Sequence, residues 1–144
     1  MTILHIEDHH GITEAVRMLC DDSIYIDSVH SLANAKAHLK VLSYDLLLID
    51  LNLGDSRGME TIKALKDYRI PIIVLTADPT EHFATTAVKL GVADYISKHV
   101  LTSINLPVRL NFVLSKSRTK VTTSTLKWEG FELLKPYLAC AVLA

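Results

Sequence analysis

Asp45-Leu46-Leu47-Leu48-Ile49-Asp50-Leu51-Asn52 carries a short, unbroken apolar run directly into an acid. A strand with one face in water alternates apolar and polar residues. A continuous run of this length needs cover on both faces, as in a parallel sheet between two helical layers. Ile72-Ile73-Val74-Leu75, running into Thr76, repeats the pattern. Working outward, the runs Thr2–Ile6, Ile24–Val29, Asp45–Ile49, Ile70–Thr76 and Ala93–Ser97 predict five strands.

Between these runs, apolar residues recur at helical spacing. Ile12, Ala15, Val16 and Leu19 share one face of a first helix. Leu32, Ala35, Leu39 and Leu42 line a second, with Ser31 placed as its cap. Ile62 and Leu65 face inward in a third, and Phe83, Ala87 and Leu90 in a fourth that ends at Gly91. A fifth runs from about Thr102 to Ser117, with Pro107 tolerated near its first turn. Five βα units in succession predict an α/β fold, a doubly wound five-stranded parallel sheet with right-handed crossovers. In such folds sites form beyond the carboxyl ends of the strands, near the point where strand order reverses.

Composition narrows the class. The 144 residues are 49% hydrophobic and 22% charged, which fits one globular domain and excludes disorder and low-complexity repeats. A net charge of −1 gives no basic footprint for nucleic acid. The two cysteines, Cys20 and Cys140, cannot build a disulfide framework. The N-terminal MTILHIEDHH lacks the apolar stretch of an export signal, and the longest apolar run, Tyr137 to Ala144, is far too short for a membrane span. The expectation is a cytoplasmic protein with no membrane partner.

Glu7-Asp8, Asp50, Thr76 and Lys98 each follow a strand directly and so project toward one mouth. Crowded carboxylates repel one another. A hard divalent cation such as Mg²⁺, which needs only one or two carboxylates plus water and phosphate oxygens, relieves that repulsion. A lysine and a threonine hydroxyl add donors suited to a phosphoryl group. The set reads as an aspartate nucleophile whose phosphorylation is assisted by a metal.

With Ile6-Glu7-Asp8, Leu48-Ile49-Asp50-Leu51-Asn52, Gly58, Val74-Leu75-Thr76-Ala77 and Asp94-Tyr95-Ile96-Ser97-Lys98 in this order, the chain resembles the receiver domain of two-component response regulators. The likeness covers residues 1–117 and implies the (βα)5 flavodoxin-like receiver fold. It implies Asp50 as phosphoacceptor, with a sensor histidine kinase or histidine phosphotransfer protein as donor. It implies Mg²⁺ held by Asp8 and Asp50, by Glu7 mainly through water, and by the backbone carbonyl of Asn52. Thr76 and Lys98 then bond the phosphoryl oxygens, small Ala77 leaves the approach open, and Tyr95 turns inward when Thr76 moves. Output passes through the face of the fourth helix, fifth strand and fifth helix, to a protein target or a second copy of the chain.

Two positions depart from the family. His99 follows the lysine where a proline is usual, which predicts a differently shaped loop, and Gly54 stands where a proline is common, which predicts a looser one. Asn52 and Asp78 flank the path of attacking water, so they are expected to set the phosphoryl lifetime. His9-His10 beside the acids suggests a zinc site only weakly, since adjacent histidines in one loop rarely share a metal, and the other histidines read as surface or satisfied strand residues.

Residues 118–144 lie beyond the receiver pattern, with Thr119–Thr125 reading as a polar linker and Trp128 and Phe131 in an apolar extension. That extension either packs on its own receiver or serves as an interaction arm. It is too short for a helix-turn-helix, so no direct nucleic-acid contact is expected. Two other functions compete. A phosphatase of the haloacid dehalogenase type also uses Asp, Thr, Lys and Mg²⁺, but places its nucleophile after the first strand and a second Asp where Asn52 stands here. The other is a phosphorylation-independent protein-binding scaffold. In the receiver reading the chain is not an enzyme with a separate substrate; it promotes only its own phosphorylation and dephosphorylation.

Overall fold

The computed structural model describes residues 1–77 and 81–125, with side chains described except for 81 and 119–125. Five parallel strands form the sheet: β1 (Thr2–Ile6), β2 (Tyr25–Val29), β3 (Leu46–Ile49), β4 (Ile72–Thr76) and β5 (Asp94–Ser97). Their spatial order is β2-β1-β3-β4-β5. The chain starts in β1, steps to one side for β2 and returns across β1 for β3, so the order reverses between β1 and β3. This is the crevice where the expected site belongs.

The helices are α1 (His10–Leu19), α2 (Leu32–Val41), α3 (Met59–Leu65), α4 (Glu81–Lys89) and α5 (Leu106–Thr125). Alternate strand residues feed two separate cores. Ile3, Leu46, Leu48, Ile73, Leu75 and Ile96 pack with Val16 of α1 and with Leu106, Leu110 and Val113 of α5. Leu4, Ile6, Leu47, Ile49 and Val74 pack with Ala35 of α2, Ile62 and Leu65 of α3 and Ala87 of α4. Leu46 through Ile49 are wholly buried, so the continuous apolarity of that run does reflect cover on both faces.

The local signals act as expected at several helix ends. Ser31 accepts from the Asn34 N–H at 3.1 Å, and Gly91, at φ +91°, supplies the left-handed residue after α4. Three expectations need correction. Leu42 lies just past α2 and is half exposed, because the helix stops before a fourth apolar position can turn inward. Asn105, whose Oδ1 accepts from the Val108 N–H at 3.2 Å, starts α5 later than expected, after a 3-10 segment over Lys98–Ser103. And α5 continues to Thr125, so the stretch read as a linker from Thr119 has helical backbone. The extension carrying Trp128 and Phe131 lies outside the described residues. No described helix is long and apolar enough to cross a membrane.

Candidate functional site

Strand pairing brings the acids together. The Asp50 N–H donates to the Ile6 carbonyl at 2.9 Å, continuing the β1–β3 ladder one step past the last strand residue. The Glu7 N–H does the same toward Val29 at 3.0 Å on the β2 side. Glu7, Asp8 and Asp50 each offer a carboxylate oxygen within 4.8 Å of the other two. Glu7 is fully buried, Asp50 is 5% exposed and Asp8 is open to solvent.

Lys98 closes this cluster from β5. Its Nζ lies 2.7 Å from Glu7 Oε2 and 3.1 Å from Asp50 Oδ2. One ammonium thus serves two buried carboxylates. Burial pushes Glu7 above the ordinary glutamate range and Asp50 adds repulsion, while Lys98 and the His9 N–H pull back. Burial acts against the charged Lys98, but its bonds to Glu7 and Asp50 outweigh it, and the ammonium is held more firmly than a free lysine. Glu7 is thus raised by burial and Lys98 by its two acidic neighbours, and one ammonium among three carboxylates leaves the site short of positive charge.

The loops around the cluster are tied down by backbone donors. The His9 N–H donates to Glu7 Oε1 at 3.0 Å, and the Asn52 N–H to Asp50 Oδ1 at 3.2 Å. His30 Nδ1 lies 3.0 Å from the Glu7 carbonyl, which can only accept, so that nitrogen carries the proton. The His9 ring instead caps α1, its Nδ1 accepting from the Ile12 N–H at 3.3 Å, which leaves the weighed zinc reading without support.

Every predicted strand-end residue that is described sits at this end of the sheet. Thr76 ends β4, is 1% exposed and is in register with Ser97, the residue before Lys98. Tyr95 is partly buried against the core under α2, α3 and α4, on the sheet face away from α5. Asn52 is exposed two residues past Asp50. Asp78 lies outside the described residues. After Lys98 the chain enters its 3-10 segment at once, with Ser97 Oγ accepting from the His99 N–H at 3.3 Å, and the described residues hold no cis peptide bond.

Sequence reasoning missed the hairpin beyond Asp50. Asn52–Leu53 and Ser56–Arg57 pair there as a miniature antiparallel ladder with Gly54 and Asp55 at its tip. Asp55 reaches from that tip to the first turn of α2, where Oδ1 accepts from the Leu32 N–H and Oδ2 from the Ala33 N–H, both at 2.9 Å. The Ser31 cap leaves the Leu32 and Ala33 N–H groups to be met from elsewhere, but nothing local points to an aspartate so far along the chain.

Comparison with known proteins agrees with this geometry. The family pattern described as the response regulator receiver domain matches residues 3–108. The transcriptional regulatory protein DltR of Streptococcus agalactiae is 27% identical over 141 residues, 92% of this chain and 63% of the relative. The chain therefore spans less than two thirds of that relative's length. A CheY-like response regulator receiver domain protein from Methanospirillum hungatei superposes with a TM-score of 0.71 at 20% identity, over 83% of this chain and 97% of that one. The Mn(2+)-bound form of response regulator Rcp1 gives a TM-score of 0.60 at 25% identity, over 79% of this chain and 89% of that one. Neither a haloacid dehalogenase nor a phosphorylation-independent scaffold finds support here. DltR is named as a transcriptional regulatory protein, so the output of that longer relative lies in transcription. With the pattern matched over most of its length and the acid cluster in the crevice beside β1 and β3, this chain belongs to the response regulator receiver domain family.

Proposed function

We propose that Asp50 accepts a phosphoryl group from a sensor histidine kinase or histidine phosphotransfer protein. An Asp50 carboxylate oxygen attacks the phosphorus of a phosphohistidine, the P–N bond breaks, and the departing imidazole nitrogen takes up a proton. Hydrolysis reverses the state: water attacks the same phosphorus, the P–O bond to Asp50 breaks, and inorganic phosphate leaves. The observation that carries this reading is the Lys98 ammonium between Asp50 and Glu7 in a mouth that still lacks positive charge.

The donor set suits Mg²⁺: hard oxygen ligands, one open carboxylate, and too few cations for the acids present. Asp8, Asp50 and the Asn52 carbonyl would hold it, with Glu7 reached through water, and it would neutralise charge on the phosphoryl oxygens. A metal-bound relative of the same fold, Rcp1 with Mn(2+), supports this assignment.

The protein's own groups do the rest. Lys98 exchanges its contact with Asp50 Oδ2 for a phosphoryl oxygen, and the buried Thr76 hydroxyl takes another. Tyr95 then fills the space that Thr76 leaves. Asn52 flanks the path of attacking water and sets the lifetime, a role proposed for Asp78 as well. The signal leaves through α4, β5 and α5, where Val88, Val108 and Phe112 are exposed for a protein target or a second copy. We take the eventual output to be transcriptional, as the DltR name suggests, without assigning DNA contact to these residues.

Intact-mass measurement after incubation with Mg²⁺ and acetyl phosphate tests the proposal. One labile phosphoryl group is expected on the wild type and none on Asp50→Asn or with EDTA. An unlabelled wild type that also fails to bind beryllofluoride, beside a receiver that does both, overturns it.

A further inference from the structure

The first turn of α2 touches both loops that carry the acids. At its leading edge His30 donates to the Glu7 carbonyl at 3.0 Å, next to Asp8. Two residues later, the Leu32 and Ala33 N–H groups donate to the two oxygens of Asp55, each at 2.9 Å. Asp55 sits only five residues past Asp50, at the tip of a hairpin whose pairs are Asn52 with Arg57 and Leu53 with Ser56. The base of that hairpin is anchored too. Ser56 Oγ and Thr61 Oγ1 are 2.7 Å apart, Thr61 Oγ1 donates to the Leu51 carbonyl at 3.0 Å, and Leu53 is buried.

We propose that Asp55 is a positioning residue: together with His30 it makes residues 30–33 a brace that fixes the Asp50–Asn52 loop against the Glu7–Asp8 loop. The function of the brace rests on the reading of that cluster as a cation and phosphoryl site. Three features of the contact fit the assignment. A free helix start leaves several N–H groups without partners, so Leu32 and Ala33 have a need that a carboxylate meets. Negative charge at a helix N-terminus is favoured, and bonding both oxygens fixes direction as well as distance. The two donated bonds hold the Asp55 carboxyl below the usual aspartate range, so it is ionised wherever the protein is folded near neutral pH.

The brace also bears on a glycine that stands out in the sequence. Gly54 lies in the turn directly after the ligand loop, where a more constrained residue would limit the backbone, and it is exposed, with open space where a side chain would stand. Tethering the next residue to another element restores the limit from outside. A carbonyl ligand on Asn52 needs such a limit, because its direction depends on the dihedral angles of the loop that Asp55 closes.

Calorimetric titration with Mg²⁺ alone and amide hydrogen exchange without metal test this on the full chain. Asp55→Ala is expected to weaken Mg²⁺ about tenfold, the low end for removal of an outer supporting contact. Asp55→Asn, which keeps one acceptor, is expected to fall between it and the wild type. Exchange is expected to speed up in Asp55→Ala at Leu32 and Ala33 and equally at residues 51–57. Wild-type Mg²⁺ affinity in Asp55→Ala, or faster exchange at Leu32 and Ala33 only, reduces Asp55 to a helix cap and overturns the proposal. A wild type that binds no Mg²⁺ overturns the cation reading instead, and the exchange pattern then decides the brace by itself.

Discussion

The two layers packed against the sheet draw on alternate residues of the same five strands, yet the buried polar groups between them differ in whether they are paired. On the side of α2, α3 and α4, polar groups have partners. The Tyr44 hydroxyl donates to Asp27 Oδ2, and His38 Nδ1 lies 3.1 Å from the same oxygen. On the side of α1 and α5, His5 and Ser28 face each other in register across β1 and β2. Neither ring nitrogen of His5 nor the hydroxyl of Ser28 has a hydrogen-bond partner among the described residues. Two positions further along the same row of β1 comes Glu7, whose charge does find a partner in Lys98. Burial alone therefore does not tell what a polar group is worth: pairing decides the sign. Where a group is paired, removing it leaves a buried partner stranded; where it is unpaired, removing it relieves a cost.

The sharpest way to test that difference is to strand the charges. Lys98→Met deletes the ammonium from between Glu7 and Asp50 and should cost about 3 kcal/mol of folding free energy in metal-free buffer. Chemical denaturation measures the loss, and saturating Mg²⁺ should return a large part of it by binding the folded form. An unchanged midpoint would mean that the carboxylates take up protons at no cost, and the comparison between paired and unpaired groups would fail at its strongest point.

His5 is the reverse case. Burial first, then repulsion from Lys98, Arg17 and His30, lowers it to about 3. In the unfolded chain it titrates at about 6.5. The unfolded state thus binds a proton that the folded state refuses, from the unfolded value down to the folded one. Stability is complete above that window and is lost as pH falls into it, by about 2 kcal/mol at pH 5. His5→Leu, which puts an apolar group of similar size on a fully buried site, should remove this slope and raise stability at neutral pH. Urea melts of both proteins between pH 7 and 5 would show it. Parallel pH profiles would mean that His5 holds a bound water or is protonated in place.

Why the sequence showed part of this chemistry and hid the rest has a physical basis. Continuous apolar runs such as Leu46–Ile49 report a sheet covered on both faces, and the acids, Thr76 and Lys98 lie at the ends of those runs, so strands and site were legible together. His5 sits inside such a run and read as an ordinary strand histidine. Only the packing of α1 and α5 shows that no hydrogen-bond partner among the described residues reaches its ring nitrogens. The hairpin after Asp50 left no trace because its strands are two residues each, too short for any period. Asp55 finds its partners 22 and 23 residues away, on backbone N–H groups that any residue would offer. The polar, threonine-rich end of α5 read as linker on propensity. A helix already formed over Leu106–Ser117 adds further residues at little cost, which is how it reaches Thr125.

The gentlest test sets Tyr44→Phe beside Ser28→Ala, two substitutions that each delete one buried hydroxyl. Tyr44 is 8% exposed, and its hydroxyl shares Asp27 with His38, so its loss removes one of the carboxylate's two side-chain partners. The ring remains and the packing is unchanged, so the cost is that of the hydrogen bond, about 1 kcal/mol. Ser28 gives up no bond. Its alanine variant should be neutral or slightly stabilising, because a hydroxyl without a partner is costly to bury. Equal losses in both variants, measured by urea denaturation at pH 7, would mean that the Ser28 hydroxyl is satisfied in solution, and the contrast between the two layers would shrink to His5 alone. A loss confined to Tyr44→Phe, absent again once Asp27→Ala removes the acceptor, would assign the difference to pairing and not to burial.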